Sequence, residues 1–248
     1  MKKTLIVASV LAVSVAATRT WAQTTLAQWN FESLADSNAI VSAPTPGANN
    51  PSPSIAADVG VFAGSGSAYG VHALGAATYS VPAGDLDATL STPVTGSSIH
   101  SYSANVWSVN DYWQFTTTSA GYSGISVAWD QAGSNTGPGS FALWYSVNGG
   151  AYTQLGGNYS VPLSTWNTST AGPVSESFAE PGIAWDNATT LSFRLIDMST
   201  TSVNGGTVAA GGTDRVDNFT VSAIPEPSSI LLVGMGLAGA LVAMRRRS

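Results

Sequence analysis

The chain has 248 residues, 14 Asp and Glu against 8 Lys and Arg, and no cysteine, which leaves a net charge of −6 at pH 7. Six of the eight basic residues lie near the two ends (Lys2, Lys3, Arg19, Arg245, Arg246, Arg247), so residues 23–227 carry two arginines, no lysine and a net charge of −12. Nucleic acid is excluded as a partner, because phosphate binding needs clustered cations. With no disulfide available, about 200 residues must bury their own core.

Met1-Lys2-Lys3 followed by the largely apolar stretch 5–17 reads as a secretory signal peptide over residues 1–22. Thr20 and Ala22 supply small residues at the −3 and −1 positions and place cleavage after Ala22, with Ala17 as the second choice. Residues 23–222 then form the body. No 3.6-residue periodicity is sustained there; short alternating runs rich in Val, Thr and aromatics recur between clusters of Gly, Ser, Asn and Pro. That pattern is all-β.

Ala27, Trp29 and Phe31 alternate with Gln28, Asn30 and Glu32 as the first strand, and residues 43–54, with four prolines, form a surface loop. Trp113, Phe115 and Thr117 alternate with Tyr112, Gln114 and Thr116, and Ile125, Val127 and Trp129 continue the series. Residues 141–155 flank Asn148-Gly149-Gly150, and Asn-Gly favours the positive backbone angles of a type I′ turn, which predicts a hairpin. Strands follow over 191–198 and 215–221, separated by a Gly/Ser/Thr loop at 199–213. Ala-Trp-Asp occurs at both 128–130 and 184–186, three residues that do not establish a repeat. Eight or more short strands over this length predict a two-sheet sandwich of jelly-roll type, with an open barrel as the alternative.

The inventory for catalysis is thin. A nucleophile needs a positioned base, yet the chain has no cysteine, no Gly-x-Ser-x-Gly elbow, and only His72 and His100, neither beside a second ligand at metal spacing. Asp85-Leu86-Asp87 lacks the glycine and final glutamate of a calcium loop and reads as a solvated turn. The expectation is a noncatalytic protein. Paired carboxylates among the 14 acids keep a secreted glycan-active hydrolase as the alternative. Trp144 shares parity with Ala142 and Ser146 rather than with Phe141, Leu143 and Tyr145, so it is expected to face outward near Tyr152 across the hairpin, an aromatic pair suited to stacking on a sugar.

If 215–221 is a regular strand, Asp217 shares a face with Phe219 and Val221 and needs a partner in the core. Arg215, Arg194, solvent at the sheet edge and a cation are all open as that partner. The chain closes on Pro225-Glu226-Pro227, an uncharged run 230–244 of roughly 22 Å as a helix, and Arg245-Arg246-Arg247. Together with Ser228 and Ser229 the run predicts a single transmembrane helix over 228–244, with the arginines as a cytoplasmic stop.

These three parts, in this order, resemble the PEP-CTERM sorting signal of Gram-negative bacteria, over residues 223–248. The resemblance implies recognition by exosortase, a membrane-embedded transpeptidase-like enzyme. It also implies an inner-membrane precursor processed at Pro225-Glu226-Pro227 and delivery to the cell surface or the extracellular polysaccharide matrix. The stretches LAQWNFES, VNDYWQFTTTSAGYSGISVAWDQAGSNTGPGSFALWYSVNGG and GGTDRVDNFTV resemble a body that recurs in such proteins, which implies no particular activity. WNFES and VDNFTV also resemble the positions at which many carbohydrate-binding jelly rolls hold a structural calcium, which nominates Glu32 and Asp217 as metal ligands.

Overall fold

The alternation read from the sequence becomes twelve strands in the computed structural model, which describes residues 23–32, 50–51, 54–73, 79–80, 100–163, 174–179 and 184–225. In chain order they are β1 (Thr24–Trp29), β2 (Asn50–Pro51), β3 (Ser67–His72), β4 (Tyr79–Ser80), β5 (Tyr102–Ala104), β6 (Tyr112–Thr117), β7 (Tyr122–Gly133), β8 (Ser140–Val147), β9 (Thr153–Ser160), β10 (Val174–Ala179), β11 (Leu191–Asp197) and β12 (Asp214–Pro225). Among the described residues there is no helix. The expected signal peptide and the transmembrane stretch 228–244 lie outside the described residues, as do Asp85 and Asp87.

Two six-stranded sheets form. One runs β10-β7-β12-β5-β4, with β1 also on β12; the other runs β2-β3-β6-β11-β8-β9. Every pairing between named strands is antiparallel. From β5 to β8 and again from β10 to β12 the chain crosses from one sheet to the other at each step. The strands therefore depend on distant partners for both hydrogen bonds and burial.

The core lies between the sheets. Trp113 and Phe115 on β6, Phe193 and Leu195 on β11, and Phe141 and Leu143 on β8 meet Ile125, Val127 and Trp129 on β7, Phe219 and Val221 on β12, and Trp29 on β1, all buried. Phe115 and Phe219 stack across the sheets at 3.8 Å between ring centres and 1° between planes. Burying an aromatic of this size contributes about 1.5–3 kcal/mol, so this layer dominates the cohesion of a fold without cross-links.

The hairpin forms as the Asn-Gly pair predicts. Asn148 and Gly149 take φ of 51° and 75°, and the Gly150 amide donates to the Val147 carbonyl at 2.9 Å. The Asn148 side chain accepts from the Thr189 hydroxyl and the Thr190 amide, which ties this turn to the start of β11. The 199–213 loop is irregular, and it is stitched to 134–139 through the Val203 and Ala209 amides. Gly212 passes against the Thr136 carbonyl so closely that a Cβ would collide with it. In the proline-rich stretch, Asn50 and Pro51 make a two-residue edge strand on β3, a place where proline's missing N–H costs nothing. The second Ala-Trp-Asp lies in a turn, not at a strand end.

One expectation about the core is corrected. Asp217 does not share the face of Phe219 and Val221. Asp214 and Val216 are buried on even parity, whereas Phe219, Val221 and Ala223 are buried on odd parity, because β12 shifts register between Asp217 and Thr220. Asn218 takes a φ of 50° at this bulge. The extra residue turns Asp217 to the face away from the core, opposite Asp130 of β7.

Candidate functional site

The outer face of the second sheet carries a row of side chains at right angles to its strands. Register aligns Tyr69 of β3 with Gln114 of β6, Gln114 with Arg194 of β11, Arg194 with Trp144 of β8, and Trp144 with Gln154 of β9. Directly paired residues point to the same side, so all five lie on the face opposite Phe115, Phe193 and Leu143. Four strand spacings of about 4.8 Å make the row about 19 Å long. Beside it runs a second row of small hydroxyls, Ser67, Thr116, Ser192 and Ser146.

Gln114 is the hub. Its Nε2 donates to the Tyr69 hydroxyl at 2.6 Å and to Thr116 Oγ1 at 3.3 Å. Its Oε1 accepts from Arg194 Nε at 2.8 Å and from the Tyr152 hydroxyl at 3.0 Å. With all of these bonds made, the amide has one orientation and its partners are fixed by it. Thr116 and Ser192 share a further hydroxyl bond at 3.0 Å.

Above this hub the Arg194 guanidinium lies 3.7 Å from the centre of the Tyr152 ring and 4.1 Å from that of Tyr112. Both contacts are in the range where a cation is attracted to an aromatic face. Burial raises the Tyr69 and Tyr112 hydroxyls above the ordinary phenol range, with Arg194 opposing the rise, so both stay protonated and able to donate. Trp144 is partly exposed on this face, as its parity predicts, while its indole nitrogen is buried without a hydrogen-bond partner. Tyr152 joins the same cluster from the loop before β9, but it reaches over Arg194 to Gln114 rather than across the hairpin.

Arg194, Gln114, Tyr69 and Tyr112 were not singled out from the sequence as site residues. The alternation in β6 had already put Tyr112 and Gln114 together off the core. What was missing was the neighbour relation of β3, β6, β11 and β8, which are not consecutive in the chain.

The proposed metal ligands sit elsewhere, on the first sheet. β1 pairs with β12 from Phe219 to Ala223 and β5 pairs with it from Asp214 to Val216, so Asp217 occupies the junction between them. Glu32, just beyond β1, lies against His100, two residues before β5. Its Oε1 accepts the His100 amide at 2.7 Å, and its Oε2 is buried without a hydrogen bond, 3.8 Å from His100 Nδ1. Asp217 Oδ1 accepts the Asn218 amide at 2.7 Å. An orphaned carboxylate oxygen suits a hard cation, but calcium takes six to eight oxygens. Among the described residues no three His, Cys, Asp or Glu side chains are grouped to hold a metal. Glu32 and Asp217 would supply only part of such a shell, the remainder coming from carbonyl or water oxygens.

Arg194 stands on the opposite sheet from Asp217, which removes it as a partner for that carboxylate. Asp130 and Asp217 do form an opposed pair of carboxylates, but they are only 7% and 2% exposed, closed to a sugar chain. His72 is buried against Tyr79, its Nδ1 2.7 Å from the hydroxyl.

At the far end of β12, Pro225 pairs with Tyr122, so the last strand runs three residues past the expected boundary at 222 and reaches the first proline of Pro-Glu-Pro. Residues 223–247 match the PEP-CTERM protein-sorting motif. The chain carries a PEP-CTERM sorting signal. The signal thus starts inside the sheet. Glu226 and Pro227, and the arginines at 245–247, fall outside the described residues.

No curated protein matches the sequence. Among solved structures, the CBM22-1 xylan-binding domain of Paenibacillus barcinonensis Xyn10C is 11% identical at a TM-score of 0.36, covering 61% of this chain and 83% of its own. TmCBM61, solved with β-1,4-galactotriose, is 10% identical at 0.33, covering 58% and 80%. The N-terminal cellulose-binding domain of Cellulomonas fimi β-1,4-glucanase C is 13% identical at 0.33, covering 54% and 86%.

Proposed function

We propose that this is an exported, noncatalytic surface or extracellular-matrix protein. Its precursor is held in the inner membrane by residues 228–244 and processed at Pro225-Glu226-Pro227 by an exosortase-type enzyme, and its body, a sandwich of jelly-roll type, binds glycan. The sorting signal at residues 223–247 carries the first part. The cross-strand row Tyr69, Gln114, Arg194, Trp144 and Gln154 carries the second. Tyr69, Arg194, Trp144 and Gln154 are partly exposed along a length suited to a short oligosaccharide, and the buried Gln114 beneath them holds Tyr69 and Arg194 in place, so they need little ordering when a ligand arrives.

Replacing Glu226 with alanine, or deleting Arg245, Arg246 and Arg247, is expected to leave unprocessed protein in the cell envelope. Fractionation with an antibody to the body reads this directly, and normal processing and surface delivery of both variants would remove the sorting assignment.

The exported protein, incubated with a polysaccharide panel, is expected to be retained without releasing reducing ends. Trp144→Ala should reduce that retention. Reducing-end release would instead establish the hydrolase.

A further inference from the structure

The geometry points to a carboxylate-bearing sugar as the ligand of this face: Arg194 is a carboxylate reader, and the glycan is an acidic one containing uronate residues. This rests on the glycan-binding reading above and sharpens it.

Residues 23–227 contain two arginines, no lysine and fourteen acids. Arg215 is engaged within the protein. Arg194 is held by two tyrosine faces and the Gln114 carbonyl, yet among the described residues it makes no ion pair. In a chain where acids outnumber arginines seven to one, a guanidinium that only stiffened the sheet would be expected to sit beside a carboxylate.

The orientation is specific as well. Gln114 takes the Nε hydrogen, so the edge made by the two terminal nitrogens is left over. Those nitrogens make no hydrogen bond to a described residue, and they are not among the buried atoms lacking a partner, so they reach solvent. A planar edge with parallel N–H donors matches the two oxygens of a carboxylate, and stacking on Tyr112 and Tyr152 fixes its plane before the ligand arrives. Trp144 and Gln154 lie on one side of Arg194 along the row, and Gln114 and Tyr69 on the other. A sugar carboxylate on Arg194 therefore places the rest of the chain along Trp144 and Gln154 in one direction and, past the buried Gln114, toward Tyr69 in the other.

Charge supplies a second signature. A body of net charge −12 repels an acidic polymer at long range, and salt screens that repulsion beyond about 10 Å at 0.1 M. The short contact at Arg194 is screened less. Binding should hold or strengthen as salt rises from low to physiological, the reverse of a protein that relies on a basic surface.

The test uses the exported protein with polygalacturonate, alginate and hyaluronate, the same three polymers after reduction of their carboxyl groups, and neutral xylan and cellulose. Wild type is expected to bind at least one native acidic polymer and to lose roughly tenfold or more in affinity when its carboxyls are reduced. Arg194→Gln, checked for an unchanged melting temperature, should lose a similar factor on the native polymer and much less on the reduced one. Arg194→Lys should recover only part, since an ammonium is a point charge without the fork. Equal binding before and after reduction, binding to neutral polymers alone, or an Arg194→Gln variant that binds like wild type would overturn the carboxylate assignment and leave the glycan reading standing. Binding to no polymer would overturn both.

Discussion

Truncating Phe219 to alanine is expected to remove about 3–5 kcal/mol of stability, the usual cost of deleting a fully buried aromatic. Phe219 is the ring at which the two sheets meet. It stacks on Phe115, and the rings of Trp129, Phe193 and Trp29 lie within 5.9–6.2 Å of it. Those neighbours come from both sheets and stand on strands that hold each other in place, so they cannot collapse together into the gap. A single domain has about 5–15 kcal/mol in total. With no disulfide to limit the unfolded chain, the melting temperature should fall by about 10 °C or more. Phe219→Leu, which keeps part of the volume, should fall less. Urea unfolding followed by tryptophan fluorescence measures both. A Phe219→Ala midpoint corresponding to a loss under about 1 kcal/mol would mean that the sheets do not pack through this ring.

Stability is also expected to fall as pH rises from 5 to 8, by on the order of 2–4 kcal/mol. Three buried carboxyls cluster near one end of the fold. Asp111, just before β6, accepts the Ala73 and Ser108 amides, and burial still pushes its pKa up to about 6. Asp197, at the end of β11, accepts the Ser199 amide with one oxygen while the other has no hydrogen-bond partner. Burial, with the nearby Asp111 charge added, pushes it up to about 7. Asp214 lies wholly inside, where burial raises it well above the carboxylate range despite hydrogen bonds from Trp113 and Gln131.

A carboxyl whose native pKa exceeds its unfolded value stabilises the fold where it is protonated. That contribution is complete below about pH 4 and is lost as pH rises through 6 and 7. His72, which burial lowers to about 3, works the other way: its contribution is complete above about pH 6.5 and is lost as pH falls toward 3. Above pH 6.5 the histidine no longer contributes a slope, and the aspartates decide the sign. Tyr79, raised by burial, stays neutral throughout. Asp197→Asn keeps an acceptor for the Ser199 amide and removes the ionisation, so it should flatten the fall and be more stable than wild type at pH 8. Urea midpoints at pH 5, 6.5 and 8 are the measurement. A wild-type midpoint that is constant or rises over that range would contradict the assignment.

How much of this was legible in advance differs from element to element. The parity of 113–117 and 125–129, the Asn148-Gly149 turn, and the outward face of Trp144 were readable, because a strand's period of two and the steric demands of a turn are local properties. The sorting signal was readable for a similar reason: Pro-Glu-Pro, an apolar run and arginines act in linear order and do not wait for the fold. Asp217 was misread because a bulge adds one residue. The Asn in VDNFTV tolerates a positive φ but does not fix one there, since the bulge is set by how β12 must meet β7 on one side and β1 and β5 on the other.

The candidate site follows the same division. That β3, β6, β8 and β11 each have a polar face is written in their alternation. That Tyr69, Gln114, Arg194 and Trp144 fall into one row is decided by registers between residues as much as 80 positions apart in the chain. The sequence by itself determined the strand class, the destination signal, and which residues of each strand turn away from the core, because each depends on neighbours a few positions along the chain. Only the tertiary structure decided which of those outward residues meet. Strand order and register are settled by the packing of the aromatic layer between the sheets, where moving one strand by a single residue would turn its core side chains out to water.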